Sequence, residues 1–420
     1  MRHHPSPPFP SDWRHFAAGR ACAVQLAFLL AGACPLLAQR ALTLDDVLAA
    51  ALRANPDLRT ARARADSARA EVRVARSYQN PSLSVAPQSP YQYGISAPLD
   101  LGPQRVYRVR AARAGAGASD FDLRDAERQL RFAVRQGFFD VLLSDSLRAI
   151  ARDSRDLFRD LLAADSARVR AGDAPARNLA KSELELAKAD AALLQAVASA
   201  RAARLVLQAL MGVPRPDTAF DIYGSLAVRP IPALDAGLPD SAISTRADVE
   251  AARARMLSSE ESRRYATAEL VPVPDLTLVQ QRGTPFPNGQ YYALGLSAQL
   301  PVWNWFSGER SRAAASVEQS RVAEEKTQLA ARTEAVIALD QYHAAAELAR
   351  RLDAGLLARA RAALDDSRYA YRAGAISYVD LLDAVRTYGE VRADAANAAH
   401  DYWVGAYAVM RATGREIIAP

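Results

Sequence analysis

Apolar positions along this chain repeat with two different periods, and the places where the period changes outline its elements. From Tyr291 to Leu300 the period is two. Tyr292, Leu294, Leu296, Ala298 and Leu300 fall on one face, and Tyr291, Ala293, Gly295, Ser297 and Gln299 on the other. That predicts a strand with one lipid-tolerant face and one small, polar face, followed by Trp303, Trp305 and Phe306 as an interfacial aromatic girdle. A half-buried strand in a soluble sheet shows the same alternation, so this pattern alone leaves both readings open. Elsewhere the period is helical. Leu143, Leu147, Ile150, Leu157 and Leu161 keep a heptad-like stripe, and Leu186, Leu193, Val197, Leu207 and Met211 keep another. Such stripes predict antiparallel coiled-coil hairpins. Residues 103–171 and 307–371 are nearly free of proline, and each leads into a Gly-containing turn. At about 1.5 Å per residue, each predicted helix is roughly 100 Å long. An earlier helix is predicted from Thr43, its N-cap, to Ser77, with a kink at Asn55-Pro56.

The chain also reads twice. Val169-Arg-Ala-Gly-Asp precedes a helix ending Leu207-Gln-Ala-Leu-Met-Gly212, and Tyr371-Arg-Ala-Gly-Ala precedes one ending at Gly414. Earlier in each half, Asn80-Pro-Ser-Leu-Ser-Val85 answers Val273-Pro-Asp-Leu-Thr-Leu278. Likewise Tyr93-Gly-Ile-Ser-Ala-Pro-Leu99 answers Leu294-Gly-Leu-Ser-Ala-Gln-Leu-Pro301. The parts keep one order, as an internal repeat requires. Each repeat predicts a helix, two short strands, a very long helix, a tight turn and a returning helix. The expected divisions are a first repeat at 41–212, a Pro-, Gly- and Asp-rich linker at 213–240, and a second repeat at 241–415. Four strands per chain cannot close a barrel alone, and lipid tolerates no open edge, so closure demands partner chains. Three copies would give a barrel of about twelve strands.

Composition and charge narrow the function. Long stretches of Ala, Arg, Leu, Asp and Glu favour helix. The net charge is +6, but basic residues are dispersed among acidic ones. No basic block with interleaved aromatics is present, which argues against nucleic-acid binding. Arg2, Arg14 and Arg20 precede the apolar run Ala21 to Leu30, which predicts a signal peptide over 1–38. Both cysteines, Cys22 and Cys34, lie inside it, and Ala31-Gly-Ala-Cys34 loosely matches a lipidation motif. Beyond it only His343 and His400 remain, and no His-Glu-x-x-His, Cys-x-x-Cys or Walker sequence occurs. The chain is not expected to be an enzyme, to carry a cofactor or to hold a metal site.

In these features the chain resembles the TolC-like outer-membrane efflux family over about 41–415. The strongest piece is Tyr371-Arg-Ala-Gly-Ala-Ile-Ser-Tyr-Val-Asp-Leu-Leu-Asp383, which is similar to the family's second helix-turn-helix tip. The strand exits Ala97-Pro-Leu-Asp-Leu-Gly-Pro-Gln104 and Leu300-Pro-Val-Trp look most like its heavy-metal (CzcC or CusC-type) branch. The resemblance implies a mainly α fold, in which long hairpins form an α-barrel and three chains share a twelve-stranded membrane β-barrel. It further implies a homotrimer in the outer membrane that reaches into the periplasm and contacts outer-membrane lipid. Substrate, heavy-metal cations on this branch, would arrive from an inner-membrane pump of the resistance-nodulation-division type through a periplasmic adaptor. Arg170, Ala171, Gly172, Arg372, Ala373 and Gly374 would meet the adaptor. Tyr371, Asp380 and Asp383 would belong to the periplasmic gate, although the two carboxylates also suit a solvated helix start. The family's gate arginine falls at Ile376, and Arg177-Asn178 stands where Thr-Asp is frequent, so a salt-bridged latch of the family kind is not expected. Export of drugs or polypeptides, and a non-conducting coiled-coil scaffold, remain the alternatives.

Overall fold

Thr43 caps the first helix as its sequence predicts. Its side chain accepts from the Asp46 N–H, and Asp46 accepts from the Thr43 N–H at 3.1 Å, which closes a reciprocal capping box on α1 (Leu44–Ala54). Asn55 leaves the helix at φ −56° and ψ 128°, the extended setting favoured before proline, and Pro56 starts α2 (Pro56–Arg76). The predicted kink is therefore a break between two helices. These coordinates are a computed structural model that describes residues 41–416 apart from 89, 173–174, 218–219, 232–243, 284–285 and 354. The predicted signal peptide, with Cys34, lies outside the described residues.

Two short strands, β1 (Ser82–Ala86) and β2 (Tyr91–Pro98), lead to α3 (Pro103–Ala171), a helix of 69 residues. At about 1.5 Å per residue it is roughly 100 Å long. Its return is α4 (Ala176–Leu210). The second half repeats the order with α5 (Ala247–Ala268), β3 (Pro274–Gly283), β4 (Phe286–Ala298), α6 (Ser307–Asp353), α7 (Leu356–Arg372) and α8 (Tyr378–Thr413). The single helix expected over 307–371 is two, because Gly355 takes φ +88° and starts α7 afresh. A left-handed backbone cannot continue a right-handed helix, and glycine adopts it without a steric penalty.

The heptad stripe also differs from expectation. Leu143, Leu147, Ile150, Leu157 and Leu161 are only half-buried. The buried face of α3 runs through Leu130, Val134, Phe138, Val141 and Ser144, then Phe158 and Asp165. Because α3 packs against α1, α2, α4, α5 and α8 along its length, no single two-helix seam describes it. In the largest core, Val47, Leu58, Val134, Phe138, Leu207 and Met410 join α1, α2, α3, α4 and α8. A second core places Tyr342 of α6 against Tyr402, Ala406 and Val409 of α8. The segment after α4 is laid onto these cores. Phe220, Ile222 and Leu226 pack against the first, Leu42 and Ile222 form a parallel bridge, and the Tyr402 hydroxyl donates to the Arg229 carbonyl at 2.5 Å.

All four strands form one antiparallel sheet in the order β1-β2-β3-β4. The register aligns Leu83, Ile95, Leu278 and Leu294 across one face, with Leu276 beside Leu296 and Gln280 beside Tyr292. Ser96, Thr277 and Gly295 align on the other. Leu83 is 71% exposed, Leu294 73% and Leu296 69%, so the apolar face has no cover among the described residues. The predicted strand ended at Leu300, but β4 stops at Ala298, paired with Pro274 where β3 begins. Leu300 lies past the ladder and is 69% exposed. Among the described residues no helix is long and apolar enough to cross a membrane.

Candidate functional site

The two hairpin reversals lie beside one buried cluster. Helix α3 ends with Gly172 at φ +80°, and α7 is followed by Gly374 at φ +74°. A Cβ at either glycine would meet nothing within 4 Å, so the backbone angle and not crowding calls for glycine. Arg170, Ala171, Gly172, Arg372, Ala373 and Gly374 are all exposed at these ends. They flank the two reversals, at the ends of α3 and α7.

Directly behind the tips, Phe158, Ala189, Leu364, Tyr371, Tyr378, Leu381, Leu382 and Val385 close an apolar shell. Inside it sits Asp165 of α3, fully buried at 0% exposure. The Tyr371 hydroxyl of α7 donates to it at 2.6 Å, and Ser182 of α4 donates to its other oxygen. Ser182 Oγ is also hydrogen-bonded to the Tyr378 hydroxyl of α8 at 2.7 Å. Asp165, with Ser182 as a bridge to Tyr378, thus ties together α3, α4, α7 and α8. Burial, reinforced by the Asp165 hydrogen bond and charge, pushes the Tyr371 phenol up to about 12, so it stays a donor at any physiological pH. The Arg168 guanidinium lies 5.0 Å from the Tyr371 ring centroid and adds a cation–π contact. One turn further along, the Glu185 carboxylate of α4 accepts from Arg386 of α8 at 2.6 Å and from Lys188 at 3.1 Å. Burial works to raise the Glu185 pKa, but these two cations outweigh it and hold the carboxyl below its ordinary range.

Of the predicted gate residues, only Tyr371 enters this clasp. Asp380 is exposed and serves the cap of α8, accepting from the Ser377 N–H at 3.0 Å and hydroxyl at 2.8 Å. Those bonds hold its pKa below the usual carboxylate range. Asp383, one turn on, is exposed. Asp165, Ser182, Tyr378, Glu185 and Arg386 were not singled out in the sequence. One signal was available: Leu157, Leu161 and Asp165 are spaced by four, so a carboxylate continues an apolar stripe. No comparable spacing marks Ser182 or Arg386.

The two histidines separate. His343 is exposed. His400 of α8 lies between Asp140 of α3, 2.8 Å from Nε2, and Asp401, 3.0 Å from Nδ1. Burial works to lower its pKa, and the two carboxylates together raise it above the usual histidine value. Among the described residues no group of three or more His, Cys, Asp or Glu is placed to hold a metal ion.

Comparison with known proteins decides what such a molecule is. The family model for outer membrane efflux proteins matches residues 47–213 and 238–415. The chain belongs to this family. It is an outer-membrane efflux channel of tripartite systems that extends into the periplasm, a conduit and not an enzyme. The cobalt-zinc-cadmium resistance protein CzcC of Cupriavidus metallidurans is 27% identical over 365 residues, 84% of this chain and 85% of that one. The pyoverdine export outer membrane protein OpmQ of Pseudomonas aeruginosa is 27% identical over 421 residues, 90% of this chain and 85% of that one. The crystal structure of CusC superposes with a TM-score of 0.74 at 20% identity, covering 88% of this chain and 91% of that one. The fold is accordingly that of an efflux channel, with long helical hairpins below a small membrane sheet.

Proposed function

We propose that three copies of this chain close their four-stranded sheets into one twelve-stranded barrel and conduct heavy-metal cations out of the cell. The carrying observation is the sheet itself. Among the described residues both its edges, β1 and β4, are unpaired, and its Tyr292, Leu294, Leu296 and Ala298 face is apolar. Unpaired edges in hydrocarbon cost several kcal/mol per exposed polar group, which closure by further copies removes. The small, polar face then lines the passage.

On this reading the exposed tips at Arg170–Gly172 and Arg372–Gly374 dock a periplasmic adaptor, which receives substrate from an inner-membrane pump of the resistance-nodulation-division type. The Asp165–Tyr371 clasp holds the hairpins closed, and rings of Asp380 and Asp383 attract cations at the aperture. Asp380 is already engaged at its helix cap, so Asp383 is the freer carboxylate. The similarity to CzcC supports a metal cargo. The equally similar pyoverdine exporter supports the second reading, export of small organic molecules through the same duct. A susceptibility panel on a deletion strain separates them. Sensitivity to zinc, cobalt or cadmium, restored by complementation, is the expected result. Sensitivity confined to dyes, antibiotics or siderophore retention would replace the metal assignment with the second reading. In single channels, Asp383→Asn should lower cation preference; unchanged selectivity would remove Asp383 from the aperture.

A further inference from the structure

Just below the sheet, the helical wall carries a cleft of about 570 Å³ with no part in conduction as described above. Tyr107 of α3, Arg263 and Arg264 of α5, Val271 and Arg310 of α6 line it. Its side of the wall follows from helix geometry. A separate cavity of about 560 Å³ takes Tyr265 from α5 and Glu269 from its C-cap, together with Pro98 and Asp275. Pro98 and Asp275 pair across the sheet on its small, polar face. At 3.6 residues per turn, Arg263 stands roughly 160° around the helix from Tyr265. The arginine cleft therefore lies on the other side of the wall, in line with the apolar sheet face.

Charge and surroundings then define a ligand. Arg264 is paired with Glu261 at 2.7 Å, while Arg263 and Arg310 have no ion-pair partner among the described residues. The Arg310 Nε is enclosed without a hydrogen-bond partner. Val271, which also lines the cleft, is 48% exposed. Guanidinium groups are suited to phosphate because their planar fork donates two parallel hydrogen bonds.

We propose that this cleft binds the headgroup phosphate of an anionic glycerophospholipid from the periplasmic leaflet of the outer membrane. The proposal rests on the sheet spanning that membrane. Free phosphate shares the recognition chemistry, but it would leave the apolar face above the cleft without a role. A lipid uses that face too, with the phosphate on Arg263 and Arg310 and the acyl chains against the sheet.

The test uses the full chain inserted into vesicles of phosphatidylethanolamine, with and without phosphatidylglycerol. Lipid retained on the oligomer after mild detergent extraction is then identified by mass spectrometry. The wild type should retain phosphatidylglycerol in preference to phosphatidylethanolamine. Arg263→Gln and Arg310→Gln should each cut that preference about fivefold, the effect of one basic residue at an anionic surface. Arg263→Lys should lose less, and an unchanged oligomer in detergent shows that each variant is folded. Equal retention of the two lipids, or retention indifferent to both substitutions, overturns the site. Displacement of the lipid by millimolar inorganic phosphate overturns the lipid assignment in favour of a free-anion site. Failure of the chain to insert into either vesicle sinks the duct reading, and the lipid site with it.

Discussion

The two helical hairpins make the same reversal by different means. In the first, α3 runs unbroken for 69 residues to Gly172, and α4 starts at Pro175 without a side-chain cap. In the second, the outgoing helix is divided at Gly355, and α8 starts with a full Ser377–Asp380 capping box. One hairpin is thus a continuous rod with a plain turn; the other is jointed above a reinforced turn. The joint separates α6, which packs on Tyr402 and Val409, from α7, which carries Tyr371. The clasp on Asp165 ties the jointed hairpin to the continuous one.

That contrast can be broken most severely at Asp165. Asp165→Ala leaves the Tyr371 hydroxyl buried without its acceptor and Ser182 with only Tyr378 as a partner, and should cost about 2–3 kcal/mol. Thermal unfolding of the detergent-solubilised protein, followed beside protease cleavage of the tips, reads this; a loss under about 1 kcal/mol would show that the clasp is not what holds the hairpins. A smaller effect is expected at the reversals. Gly172→Ala and Gly374→Ala each force a Cβ into left-handed backbone and should cost about 1–2 kcal/mol. Gly355→Ala carries the same strain at the joint, and it should also raise cleavage around 355 more than either tip substitution does. Equal cleavage in all three would deny the joint its separate character.

The smallest effect is a pH dependence higher on the rod. His400 has its folded pKa raised above the unfolded value near 6.5. Its contribution is therefore complete below about pH 6.5 and fades as pH rises through the folded value. His400→Gln should lower the unfolding free energy at pH 6 by no more than about 1 kcal/mol, with the difference shrinking at pH 9. A difference that grows with pH would mean that the neutral ring, not the ion pair with Asp140, makes the contact.

Much of this was legible in the sequence because it is local. Thr43, Asn55-Pro56, the alternation at 291–298 and the glycines at 172 and 374 each act within a few residues of themselves. What escaped is non-local. Asp165, Ser182, Tyr371 and Tyr378 meet only when two hairpins separated by about half the chain are packed side by side. The buried face of α3 was displaced from its leucine stripe because five other helices, not one, compete for it. The break at Gly355 was hidden by flanking residues that favour helix, including Leu356, Leu357 and Ala358.

Single-channel recording in planar bilayers tests the conducting role most directly. The reconstituted wild type should show discrete conductance steps, and Tyr371→Phe, which removes the proton donated to Asp165, should enlarge them or lengthen their open time. Protein that inserts stably into the bilayer yet passes no current in either form would contradict the duct and leave a scaffold in its place.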